Sequence, residues 1–181
     1  MGIRSPTFAT TLLLVVACVA GQAAQLNADL LAAAMAGDTA SAETALAAGA
    51  SIEAVNDWKE TALLVACEHS HEETAEMLIN KGANIEARNN HTSTPIMRAA
   101  LKGEHDVVKL LIAKGANVNA ANRAGITALS YASHLKGSNA ELSKQMMTDL
   151  AAAGAKRGDM QNRAHLGEMH VASKTDLRRQ N

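Results

Sequence analysis

The sequence predicts an all-α solenoid of stacked helix-turn-helix units, on three observations. Lys81-Gly82-Ala83-Asn84 recurs as Lys114-Gly115-Ala116-Asn117, thirty-three positions further on, and Gly49-Ala50 precedes Gly82-Ala83 by the same interval. Thr61, Thr94 and Thr127 keep that interval too, so two unrelated markers share one period. Composition agrees: of 181 residues 48% are hydrophobic but only 2% aromatic, and alanine runs as in Leu31-Ala32-Ala33-Ala34 and Ala151-Ala152-Ala153. Alanine is the best helix former, whereas a β-sandwich draws on the β-branched and aromatic residues that are scarce here. The length suits a single domain with a continuous core.

Residues 1–23 read as a secretory signal peptide. Arg4 gives a basic start, Phe8 to Ala20 is an apolar run broken only by Thr10 and Thr11, and Gly21-Gln22-Ala23 places small residues for cleavage after Ala23. The run is shorter than the roughly 20 residues that span a bilayer, so no membrane insertion of the mature chain is expected. Val15-Val16-Ala17-Cys18 offers an alternative, a loose lipobox in which Cys18 is lipidated and the protein becomes an anchored adaptor. Either way export to a periplasm or the extracellular space is the expectation. Cleavage after Ala23 leaves Cys67 as the one thiol, which excludes an intramolecular disulfide.

The formal charge of −1 hides an uneven distribution. Residues 24–155 hold ten Lys/Arg against fifteen Asp/Glu, and residues 156–181 hold six against three. An acidic body is a poor surface for nucleic acid, which needs a basic face to neutralise phosphates.

One unit shows how the repeat folds. Thr94-Pro95-Ile96 opens a helix, with Thr as side-chain cap and Pro at the first helical position, where its missing N–H is no loss. Gly103 ends it. His105 to Ala113 then sets Val107, Val108, Leu110, Leu111 and Ile112 on one broad apolar face, and Lys114-Gly115 closes the second helix. Asn117 to Ala120 is expected to be extended and Asn122-Arg123 to turn. A helix pair of this size cannot bury its face alone, so the units must stack.

These residues resemble ankyrin repeats. Residues 94–120 follow the family pattern through Thr94-Pro95-Ile96-Met97-Arg98-Ala99-Ala100, Gly103, Val107-Val108 and Leu110 to Ala120, and residues 61–87 are a second match. A weaker first unit covers residues 28–54 and a fourth, with Thr127-Ala128-Leu129-Ser130-Tyr131-Ala132, covers 122–155. The resemblance implies a domain over 24–156, with repeats at about 27–55, 56–88, 89–121 and 122–155 joined by short β-hairpins. It departs from the pattern in three places. Leu64, Met97 and Ser130 replace the family's histidine, and Lys59 and Thr92 stand where the hairpin turn usually has glycine, so those two turns are expected to differ in shape from the one at Gly125. Gly154 follows Gly115 by six positions more than the period, with the excess expected in a loop over Lys136 to Ser143. Cys67 aligns with Ala100 and Ser133, a small buried inner-helix position. Residues 157–181, polar and poor in aliphatics, read as a disordered tail.

Function follows less closely than fold. No nucleophile-base-orienter set and no glycine-rich phosphate loop is legible, so no enzyme and no cofactor is expected. His69, His71, His105 and His134 fall near the turns between paired helices. They support a rival reading as a metal-binding or redox accessory protein, although rungs about 10 Å apart are too far for two nitrogens on one ion, so no metal ligand is assigned. The ankyrin resemblance implies instead a monomer that binds a protein in the concave groove between hairpin tips and inner helices. The matching positions are Asp57, Trp58, Glu60, Glu68 and His69, then Asn90, His91, Ser93, Leu101 and Lys102, then Arg123, Ile126, His134 and Leu135. Trp58, Leu101, Ile126 and Leu135 are expected to form an apolar patch rimmed by charge.

Overall fold

A computed structural model describes residues 7–135 and 140–156, with side chains from Gly21 onward. The described residues form eight helices: α1 (Thr7–Ala36), α2 (Thr39–Ala47), α3 (Ala62–Glu68), α4 (Glu72–Asn80), α5 (Pro95–Lys102), α6 (His105–Ala113), α7 (Ala128–His134) and α8 (Ala140–Ala152). They pair as four helix-turn-helix units stacked in two rows. The inner row runs α1, α3, α5, α7 and the outer row α2, α4, α6, α8, each helix touching the next in its row and its own partner. The expected domain lies within these residues; the tail at 157–181 lies outside them.

Between the rows the core is a file of alanine and larger aliphatic or thioether side chains, among them Leu30, Ala34, Leu63, Ala66, Leu78, Met97, Ala100, Val107, Leu111, Ala132, Met146 and Leu150. Of the face expected on α6, Val107, Val108 and Leu111 are buried, while Leu110 and Ile112 are half-buried against the core. Alanines let neighbouring helices approach closely, and burying branched side chains contributes roughly 1.5–3 kcal/mol each. Cys67 sits here, fully buried and free; burial, then the nearby Glu104 charge, push its thiol well up in pKa, which leaves it unreactive.

Each outer helix stops at a glycine in the left-handed region, Gly49, Gly82, Gly115 and Gly154, where a Cβ would strain the backbone. A ladder then ties each unit to the one before. Asn84 N–H donates to Glu53 Oε1 at 2.8 Å, Asn117 N–H to Glu86 Oε1 at 2.6 Å, and Lys156 N–H to Asn119 Oδ1 at 2.7 Å. The excess length of the fourth unit leaves this ladder in phase. It is not all loop, however: Ala140 to Ser143 form the first turn of α8, which has 13 residues where α2, α4 and α6 have nine.

Two local expectations change. Thr61 and Thr127 cap their helices, each accepting from the N–H three residues on at 3.4 Å. Thr94 does not: its hydroxyl is buried without a partner, and Pro95 alone sets the start of α5. Residues 117–120 are a turn rather than an extended segment, closed by Ala120 N–H donating to Asn117 C=O at 3.1 Å.

Candidate functional site

The hairpin tips come from an asparagine that recurs at the repeat period. Asn56 Oδ1 accepts from the N–H groups of Trp58 and Glu60 at 3.0 and 2.9 Å. Asn89 does the same for His91 and Ser93 at 3.0 and 3.1 Å, and Asn122 for Ala124 and Ile126 at 2.9 and 3.0 Å. In each case the Asn N–H also donates to the carbonyl four residues on, and its own carbonyl accepts from the residue three on. A side-chain amide thus satisfies the donors a tight turn leaves open. The pairing is short, and only Val55 with Thr61 forms a β-bridge among the described residues.

The clamp overrides local preference at the turn itself. Lys59 has φ 59° and Thr92 φ 58°, beside φ 74° at Gly125. All three tips therefore have the left-handed turn, and the expectation that two would differ is wrong. A non-glycine residue there costs roughly 1–2 kcal/mol, and two added hydrogen bonds of about 1 kcal/mol each are enough to hold it. Neighbouring tips are joined by backbone bonds, Asn90 N–H to Trp58 C=O at 3.0 Å and Arg123 N–H to His91 C=O at 3.2 Å.

With both backbone groups of Trp58 engaged, its indole stands clear of the scaffold at 61% exposure. Asp57, Asn90, His91 and Arg123 are exposed beside it, as are His69, Lys102 and His134 on the helices, while Glu60, Glu68, Leu101, Ile126 and Leu135 are half-buried. Ser93 departs from expectation: it is 3% exposed, held by Asn89, and offers a partner almost no surface.

The expected apolar patch is interrupted by charge. Leu135 packs against the core and lies over the α5–α6 turn, its Cδ1 3.7 Å from where a Cβ on Gly103 would stand. Between Trp58 and Ile126 runs a chain of ion pairs instead. Arg98 Nη1 is 2.7 Å from Glu68 Oε2 and its Nη2 4.0 Å from Glu60 Oε1, and Lys102 Nζ is 3.4 Å from Glu68 Oε1. Glu60 is further held by Asn56 Nδ2 at 3.2 Å and Asn89 Nδ2 at 3.1 Å. Ile126 belongs to an open depression of about 460 Å³, shared with His91, Arg98, Arg123, Asn122 and Tyr131 but not with Trp58.

Arg98, Asn122 and Tyr131 were not among the residues expected at the site. Asn56, Asn89 and Asn122 carried a readable signal, the repeat interval itself. Arg98 carried none, because it sits inside the Thr94–Ala100 motif and its partners, Glu60 and Glu68, belong to the preceding unit.

At the helix-turn edge the histidines also touch the scaffold. His71 Nε2 is 2.9 Å from Met35 C=O in the preceding unit, and its ring stacks on His69 with centroids 6.1 Å apart. His105 Nε2 pairs with Asp149 Oδ2 at 2.7 Å, and His134 Nδ1 lies 2.6 Å from Ser130 C=O. No group of three or more His, Cys, Asp or Glu that could hold a metal occurs among the described residues.

One residue at that edge is anomalous. Glu104 stands one repeat period after His71, yet it is 2% exposed and neither carboxyl oxygen has a hydrogen-bond partner. Burial, then the charge of Glu72 and more weakly Glu68, raise its pKa from 4.5 to about 8, against the pull of the Lys102 charge.

No helix among the described residues is long and apolar enough to cross a membrane. No curated protein matches the chain. The family model described as "Ankyrin repeats (3 copies)" matches residues 30–122 and again 82–156, together from the last turns of α1 through α8. On a match that covers well over half its length, the chain belongs to the ankyrin-repeat family, whose members serve in general as protein-protein interaction modules.

Proposed function

We propose that this chain is an exported, non-enzymatic binding protein that works as a monomer in a periplasm or outside the cell. It grips one protein partner between its hairpin tips and inner helices, as an inhibitor, an immunity protein or a protector of an exported enzyme. The observation that carries the reading is Trp58. The chain's single tryptophan stands 61% exposed on a tip that engages both its backbone N–H and its C=O. Exposing so large an apolar group is unfavourable unless something covers it, and tryptophan is enriched among residues that dominate binding energy.

Cross-linking the exported protein in its native cells and identifying the captured partner tests the reading. Trp58→Ala should then weaken binding at least about tenfold, the cost of truncating a central aromatic anchor, while leaving the helical circular dichroism unchanged. Equal affinity in the mutant would remove the groove.

Export is supported by the sequence of residues 1–23 and is compatible with the packing. Cleavage after Ala23 would leave the core residues Leu30, Ala33 and Ala34 of α1 in place. The mass of the mature N-terminus decides: a chain beginning at Ala24 is the soluble form, and an acylated Cys18 is the anchored one.

A further inference from the structure

We propose that the depression between the third and fourth units receives a carboxylate side chain of the protein partner, a proposal that rests on the groove reading above. The depression is rich in donors and poor in acceptors. His91, Arg98 and Arg123 line it, and no carboxylate does. Arg98 spends its two Nη groups on Glu68 and Glu60, but its Nε is buried without a hydrogen-bond partner. That N–H is withheld from water and protein alike, so a ligand acceptor reaches it only by a small shift of the Arg98 side chain toward the depression. Tyr131 adds another: its oxygen accepts from Asn122 Nδ2 at 3.0 Å, which leaves the phenol O–H to donate elsewhere.

The rest of the molecule narrows the ligand. Residues 24–155 are acidic overall, and Asp57, Glu60 and Glu68 stand along the same groove. A polyanion such as a nucleic acid strand would be drawn to Arg98 and Arg123 but repelled by these neighbours. A single carboxylate on an otherwise apolar segment would pair with Arg123, which pairs with no carboxylate among the described residues, and Ile126 and Ala124 supply an apolar wall for its methylenes. The groove would therefore read an acidic residue at one end and an apolar residue at Trp58 at the other. That order fixes the direction in which a partner segment lies.

The test uses the full mature chain and two blocked peptides, acetyl-Leu-Gly-Leu-Glu-Gly-amide and its Gln counterpart, followed by nitrogen-15 NMR. The Glu peptide should shift the Arg98 Nε–H and the amides of Ala124 and Ile126, and the Gln peptide should not. Arg123→Glu, at an exposed position, should weaken the Glu peptide at least about tenfold, while Lys144→Glu on the outer helix, the same charge change away from the site, should alter it less than about twofold. Equal binding of the two peptides, shifts confined to other faces, or an oligonucleotide that displaces the Glu peptide would each overturn the proposal. The two readings fail separately. A partner that loses affinity with Trp58→Ala but not with Arg123→Glu leaves the groove standing and removes the carboxylate site, whereas one indifferent to both removes the groove.

Discussion

The two edges of the solenoid repeat in different ways. At the hairpin edge the residues that shape the backbone are the same in units two to four, Asn56, Asn89 and Asn122, and the side chains they display, Trp58, His91 and Ala124, share nothing. At the helix-turn edge the shaping position itself changes, from Asp38 to His71 to Glu104. Asp38 accepts Ser41 N–H at 3.0 Å to cap α2, His71 reaches back to Met35 C=O, and Glu104 is buried without a partner. The difference teaches where variation is cheap. A turn fixed by a side chain outside the displayed positions can carry any tip, whereas a change in the fixing residue is felt by the fold.

The sharpest way to test that contrast is at Glu104, through pH. Its folded pKa, about 8, is raised above the ordinary 4.5, so the folded state holds a proton that the unfolded chain releases. The stability this proton contributes is fully present below pH 4.5 and is lost as pH rises to and through about 8, at up to about 1.4 kcal/mol per pH unit. Urea unfolding of the wild type should therefore weaken across that window more steeply than that of Glu104→Gln, which keeps the neutral shape. Glu68, Glu72, Lys102 and Cys67 face the same spot and are common to both proteins, so parallel curves would show that Glu104 is ionised in the fold.

A smaller effect is expected at the clamp. Asn89→Ala should cost about 2–3 kcal/mol of unfolding free energy, because the N–H groups of His91 and buried Ser93 lose their acceptor and Glu60 loses a donor. A loss no larger than that of an ordinary surface substitution would mean that backbone pairing alone makes the tip. The smallest effect is a gain. Thr92→Gly should add about 0.5–1 kcal/mol, since a β-branched residue at φ 58° is relieved by glycine, net of glycine's greater chain entropy. An unchanged melting temperature would show that the strain at Thr92 is already relaxed.

The same contrast explains what the sequence disclosed. Helix pairs, glycine stops and the buried Cys67 are legible because period and small-residue placement are local properties. The shape of the turns at Lys59 and Thr92 is misjudged from the turn residue alone, since the deciding group is an asparagine three positions earlier. Reading Ala140 to Ser143 as loop fails because length over the period does not say which element lengthens. At the site, exposure at Trp58, His91 and Arg123 follows from register. The division of the groove by Arg98, Glu60 and Glu68 does not, because it arises from pairs in different units. Ser93 lines the depression yet keeps little surface, because the clamp that makes the tip also buries one side of it.

The ladder on the outer turns has a consequence for engineering. Lys156 N–H meets Asn119 as Asn117 meets Glu86, so despite its longer helix the fourth unit ends in the geometry of the third. A further unit spliced after Lys156 would therefore begin from the rung on which the fourth unit ends. The groove can be lengthened one module at a time, with the Arg98 depression and the Trp58 tip left as they stand.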